Sequence, residues 1–232
     1  MSSRLAQAVT RAAYGARQLP RVAWYIGHSL VLRELADTVR QSEKSEAKRR
    51  VHTDAPAPDR KRIYADMARL FLQDLANVDH DGSLLALVRR SRRFFDDLPN
   101  IHRRRKRYAH DEVLNDTTRG IRPRYYLQNF HYQSGGWMTD NSAELYDTQV
   151  EVLFNGSANA IRRQALPQLH EVFAGHDQRK LSLMDVGCGT GRFFDSVKQV
   201  WPRLPIFGID MSEAYVKFAK GHLKHWSQIR LI

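Results

Sequence analysis

The sequence predicts an α/β protein: an incomplete parallel sheet of about three strands, preceded by a mainly α-helical N-terminal region. Three observations carry that expectation. Leu181-Ser182-Leu183-Met184-Asp185-Val186 is a short apolar run ending in an acid, and it opens into Gly187-Cys188-Gly189-Thr190-Gly191. Phe207-Gly208-Ile209-Asp210 is a second apolar run ending in an acid, with Asp210 nineteen residues past Gly191. Upstream of both, apolar residues recur at intervals of three and four, the period of a helix with one buried face.

Taken in order, residues 1–59 read as a basic N-terminal helical segment and linker. The first acid is Glu34, while Arg4, Arg11, Arg17, Arg21 and Arg33 are spaced among Ala, Leu and Val. An Arg-rich, acid-poor start suits an organelle transit peptide, an amphipathic helix resting on anionic lipid, or a plain solvated helix, and the last is preferred. The apolar stretch Val22–Leu32 is interrupted by Gly27, His28 and Ser29 and is too short to span a bilayer. Ala55-Pro56-Ala57-Pro58 reads as a linker.

Residues 60–120 form the second expected unit. Ile63, Met67, Leu70, Phe71, Leu75 and Val78 predict an amphipathic helix over 60–78. Leu84, Leu87, Val88, Phe95 and Leu98 predict another, ended by Pro99, with Asn100 capping a third through the basic run His102–Arg107. Residues 121–180 differ in character. The aromatic, glycine-rich stretch Arg124–Trp137 reads as an ordered loop, and helical patterns follow around Leu145, Val152 and Leu153, then Ala160, Ile161, Ala165 and Leu169, broken at Asn155-Gly156.

In residues 181–232 the pattern becomes strand (181–186), glycine loop, helix (191–200), strand (204–210), helix (213–224) and the start of a third strand at Ile229–Ile232. Glycine turns sharply from strand to helix without a Cβ clash, and it lets a ligand lie against the backbone. Phe193, Phe194, Val197 and Val200 give the first helix its buried face, Pro202 a stop, and Ser212 a cap for the second. A dinucleotide site wants G-x-G-x-x-G with the pyrophosphate on the helix N-terminus. Here the glycines fall at 187, 189 and 191, and residue 192 is Arg.

That pattern, with Asp185 before it, resembles motif I of the class I S-adenosylmethionine-dependent methyltransferases, and Asp210-Met211-Ser212 resembles their second motif. The resemblance implies a Rossmann-like methyltransferase sheet with S-adenosyl-L-methionine as cofactor. It implies a binding site made of Asp185, Gly187, Cys188, Gly189, Gly191, Asp210 and Met211. Gly187, Gly189 and Gly191 would line the methionine and ribose part, Asp210 would accept the ribose hydroxyls, and Met211 would pack on adenine. The charge logic agrees: this cofactor carries a sulfonium and an ammonium, which an acid at Asp185 complements and which a phosphate-binding site would not want. Members of this family also place a helix before the first strand that closes over the cofactor, so residues 121–180 are expected to supply the lid helices, with the Tyr-rich loop either helping to form the lid or simply packing. Cys188 reads as a small residue filling space, since no second Cys, and no His or Asn placed by sequence, stands ready to activate it.

The family continues for about four more strands than residues 181–232 can supply, in the order 3-2-1-4-5-7-6, so the resemblance implies a truncated domain holding a cofactor half-site with little turnover alone. No catalytic residue is assigned. The ten histidines show no metal-binding spacing, and no metal is expected. One Cys suits a reducing, cytoplasmic setting. The net charge of +12 lies mostly upstream of the glycine loop, where a solvated helix face is preferred over nucleic-acid or peripheral membrane contact. Three functions stay open: methyl transfer to a small-molecule acceptor, an RNA- or protein-directed methyltransferase, and a non-catalytic remnant acting as an interaction protein. Oligomeric state is open too.

Overall fold

The computed structural model describes residues 2–43, 59–74, 84–107, 109, 111–115, 120–129 and 133–232. The linker around Ala55–Pro58, together with Leu75, Val78 and His131, lies outside the described residues. The chain divides into two compact units, one of residues 1–77 with 151–162 and one of residues 78–150 with 163–232.

The first unit is built on α1 (Ser2–Glu43) and α2 (Arg60–Gln73). Tyr25 is buried on one face of α1, and Arg21 beside it forms a buried ion pair with Glu151 at 3.2 Å. Two turns later Ser29 Oγ donates to the carbonyl of Val152 at 2.8 Å. Gly156 has φ +83°, and a Cβ there would sit 3.1 Å from the Val22 Cα, so the break after Leu153 needs glycine to let α1 approach. Asp59 caps α2 by accepting from the Lys61 N–H. The apolar stripe of α2 is only half-buried, at Met67, Leu70 and Phe71.

The second unit begins with α3 (Leu84–Lys106), a single helix that runs through Pro99 where a stop was expected. A proline costs an interior helix one hydrogen bond and about 3 kcal/mol, and here side-chain hydrogen bonds tie the helix on either side of it to another segment. Asp97 accepts from Ser134 Oγ and from Asn100 at 3.4 Å, and Arg104 donates to Ser134 at 2.8 Å. The buried stripe is Leu87, Ser91, Phe94 and Leu98, while Val88 faces solvent. After the aromatic loop come α4 (Asp140–Leu153), whose residues from 151 onward belong to the first unit, α5 (Ala158–Arg163), which belongs to the first unit up to residue 162, and α6 (Ala165–Phe173), which belongs to the second.

The sheet follows: β1 (Leu183–Val186), α7 (Arg192–Val200), β2 (Ile206–Ile209), α8 (Glu213–His222) and β3 (Ile229–Leu231). The strands are parallel in the order β1-β2-β3, with Asp185 opposite Gly208 and Gly208 opposite Leu231. This is an incomplete Rossmann-like α/β sheet. Consecutive right-handed crossovers put α7 and α8 on the same face. There Phe194, Val197, Leu204, Ile206, Val216, Ala219, Leu223 and Leu231 make the core. Val200, expected on that face, is exposed; Trp201 takes its place and meets Phe173 of α6 edge-on at 5.2 Å. On the opposite face Met184 and Val186 are 62% and 76% exposed. The outer edge of β1 pairs with no strand among the described residues.

Gly208 is demanded by packing. A Cβ on it would fall 2.6 to 2.9 Å from Leu231, Phe194 and the Cys188 sulfur. Lys198 is fully buried behind the sheet; its Nζ donates to the carbonyls of Leu204 at 2.6 Å and Pro202 at 3.3 Å, tying the α7–β2 turn. Burial lowers its pKa.

Candidate functional site

The site lies wholly within the second unit, at the C-terminal ends of β1 and β2, where open parallel sheets bind ligands. β1 ends by donating the Gly187 and Cys188 N–H groups to the Ile209 carbonyl, at 2.7 and 3.1 Å. The chain then turns through three positive-φ glycines: Gly187 (+85°), Gly189 (+55°) and Gly191 (+74°). They are required for two different reasons. Gly187 and Gly189 have nothing within 4 Å of where a Cβ would stand, so their bare backbone faces open space. Gly191 has the opposite surroundings: a Cβ there would lie 2.6 Å from Leu223, and the residue caps α7 as it closes on α8.

Asp210 is tied to that loop. Its Oδ2 accepts from the Gly189 N–H at 2.8 Å, and its Oδ1 accepts from the Ser212 N–H at 2.8 Å. Each carboxylate oxygen has a second lone pair, so the tie fixes the orientation and leaves acceptor capacity for a ligand. Asp185 is different. It is half-buried, and no hydrogen bond or ion pair satisfies it among the described residues. Burial first, then the charge of Asp210, raises its pKa above the ordinary carboxylate range. Val186, which follows Asp185, is paired with Ile209, which precedes Asp210, so the two acids stand at the same end of neighbouring strands.

Cys188 contributes its backbone alone. Its side chain turns into the core against Gly208, where burial and the two acids push the thiol up to about 12. Met211 lies on the rim, 37% exposed, with the Tyr125 hydroxyl 4.0 Å from its sulfur.

Residues the sequence reading did not single out complete the site. Asp147 on α4 is buried; Thr190 Oγ1 donates to it at 2.7 Å and the Arg192 guanidinium at 2.5 Å. The helix before the sheet thus clamps the glycine loop from behind, and Arg192 is turned away to serve that clamp. Periodicity gave no signal for it, since Asp147 lies roughly 160° around α4 from Leu145 and roughly 140° from Val152. The aromatic loop meets the end of β2. Ser212 caps α8 by accepting from the Tyr215 N–H at 3.2 Å, and its hydroxyl donates to the Trp137 carbonyl. Tyr126 packs on Trp137 with ring centres 5.0 Å apart, and its hydroxyl is raised to about 12, chiefly by burial, with Asp210 adding to it. Tyr126 is therefore a packing residue, whereas Tyr125 projects beside Met211. Arg122 pairs with Glu213 at 3.1 Å on the same rim.

Behind the loop, Asp195 joins α7 to α8. It accepts from His222 and from the Trp226 indole at 2.8 Å. Burial works to raise its pKa, but those hydrogen bonds with the charges of His222 and Arg192 hold it below the ordinary range.

Residues 177–229 match a family model described as a methyltransferase domain. No curated protein sequence matches the chain. The matched segment runs from the turn before β1 into β3 and contains the whole glycine loop and both acids, so these residues form a methyltransferase-type domain.

Proposed function

We propose that the chain is an S-adenosyl-L-methionine-dependent methyltransferase acting on a small-molecule acceptor, with the cofactor held at Asp185, Gly187, Cys188, Gly189, Gly191, Asp210 and Met211. The observation that carries this reading is the contrast between the acids: Asp185 is held half-buried without a partner among the described residues, beside a glycine backbone open to solvent. A carboxylate so placed has uncompensated negative charge for a cationic ligand and repels a pyrophosphate. The dinucleotide alternative needs the N-terminus of α7 for phosphate. Arg192 at that position is committed to Asp147.

When bound, the cofactor supplies a sulfonium methyl, already activated toward a nucleophile. The chain's residues then have the work of holding and shielding. Asp185 complements the positive charge, and Asp210, oriented by the Gly189 and Ser212 N–H groups, offers its remaining lone pairs to the ribose hydroxyls. Gly187 and Gly189 let the ligand lie on main chain, and Met211 with Tyr125 offers an apolar wall for a base. Asp147 keeps the loop in that shape from behind. Alignment and exclusion of water are the catalytic contribution this reading assigns to the protein. A cytoplasmic setting belongs to the same proposal, supported by a sequence with one cysteine, buried in the core.

Isothermal titration of the full chain with S-adenosylmethionine, beside an Asp210→Ala variant, tests it. Saturable binding that the variant weakens by about a hundredfold is expected, the loss of two strong hydrogen bonds. Binding of NAD in its place, or no binding by a folded chain, overturns the reading.

A further inference from the structure

Helix α1 has two faces of opposite character. One carries Gln18, Arg21, Tyr25 and His28, all buried. The other carries Val9, Ala12, Ala13, Ala16, Leu19, Pro20, Ala23, Trp24, Gly27, Leu30 and Val31, all exposed. At 100° per residue these fall in one arc of roughly 140°, running for about 33 Å along the helix. No charged residue interrupts it before Glu34. Leu19, Val9 and Leu30 are 69%, 61% and 55% exposed, which makes a continuous apolar strip and not scattered single residues.

The charge around the strip has one sign. Every ionisable Lys, Arg, Asp or Glu before Glu34 is an arginine. Arg17 and Arg33, both exposed, border the strip on its two sides. Arg21 is excluded from that role, being buried against Glu151 and 5.4 Å above the Tyr25 ring. Trp24 stands at the strip's margin, tilted against His28 with ring centres 5.3 Å apart. An apolar face with arginines on its flanks and an indole at its border has the layout of a helix lying in the headgroup region of a bilayer. No helix among the described residues is long and apolar enough to cross one.

We propose that α1 docks this chain flat on an anionic lipid surface, burying Val9, Leu19, Leu30 and Val31 among the acyl chains while Arg17 and Arg33 meet lipid phosphates. The fit is one of charge complementarity with apolar insertion. Anionic headgroups attract the arginines, and the strip then partitions by its buried area. The face turned away from lipid is the one that packs on residues 151–156, so docking leaves the first unit's own contacts intact. The inference is independent of the cofactor assignment.

Flotation of the full chain with vesicles of phosphatidylcholine, with and without phosphatidylglycerol, tests it. The protein is expected to float with the mixed vesicles and not with phosphatidylcholine alone, and added salt should weaken the binding. The double variant Leu19→Glu/Leu30→Glu should lose about a hundredfold in partitioning, with its circular dichroism melt unchanged. Arg17→Gln/Arg33→Gln should lose about tenfold, and only at low salt. Wild-type fluorescence should shift to the blue on mixed vesicles, and Trp24→Phe should lose most of that shift. Absent binding, or binding indifferent to phosphatidylglycerol or to the Leu19/Leu30 change, overturns the proposal. So does a dimer that this variant disperses without any vesicle binding, which would assign the strip to a second copy of the chain. Binding to an RNA duplex with none to vesicles overturns it as well.

Discussion

The ends of β1 and β2 carry the same residue type and treat it in opposite ways. Asp210 accepts from two backbone N–H groups and is part of the fold; Asp185 has no partner among the described residues, sits half-buried and is repelled by its neighbour. Native structures satisfy buried polar groups unless function asks otherwise. On the proposed function, the difference separates an acid that shapes the site from one kept for a ligand. A third acid, Asp147, lies wholly on the structural side, since Thr190 and Arg192 both spend their donors on it.

The largest expected effect of breaking this division falls on Asp147. Asp147→Ala takes away the acceptor that Arg192 and Thr190 share and should cost about 3–4 kcal/mol, near the lower end for a buried pair since Arg192 keeps some solvent. Thermal melting would read it as a fall of about 6–16 °C. Asp210→Ala should cost less, about 2–3 kcal/mol, because it leaves two neutral backbone N–H groups without their acceptor and no buried guanidinium. Equal melting temperatures for Asp210→Ala and the wild type would erase its structural half.

The glycines sharpen the comparison next. Gly191→Ala meets both a positive φ and Leu223, and should destabilise by about 2–3 kcal/mol in urea titration. Gly189→Ala meets the φ penalty alone, about 1–2 kcal/mol, and should instead damage cofactor affinity.

Asp185 gives the smallest effect, with the opposite sign. Asp185→Asn removes a carboxylate that the fold disfavours, so the ligand-free protein should melt higher, by about 1–3 °C. The same logic sets a pH dependence. A carboxyl with a raised folded pKa contributes stability that is present in acid and lost as pH rises through that pKa. The ligand-free wild type should therefore lose a small increment of stability between the ordinary carboxylate range and neutrality, while its affinity for a cationic ligand grows over the same span. Asp185→Asn should show neither trend. Asp195, with its pKa depressed, contributes in the other direction, and its share is lost as pH falls into the acid range.

The elements from 181 onward were readable because strand, loop, helix and acid each follow a local rule: apolar runs for β1 and β2, glycine where φ turns positive, Ser212 as a cap. What stayed hidden depends on contacts distant in sequence. Nothing near Gly208 announces that Leu231, Phe194 and Cys188 crowd it, and nothing near Arg192 announces Asp147, 45 residues away. Pro99 misled for the same reason, since its helix is held by Ser134 in another segment. In α1 the helix was legible, but which apolar residues would be covered was not. Val9, Leu19 and Leu30 are no less hydrophobic than Tyr25; only packing on residues 151–156 chose between them.

The central claim is that the two strand-end acids read different parts of one ligand, and a pair of titrations addresses it directly. S-adenosylmethionine carries both positive charges, whereas 5′-methylthioadenosine keeps the nucleoside and lacks them. Measured against wild type, Asp185→Asn should weaken S-adenosylmethionine about tenfold or more and leave methylthioadenosine unchanged, while Asp210→Ala should weaken both alike. Equal losses for the two ligands at Asp185, or none at either acid, would contradict the account.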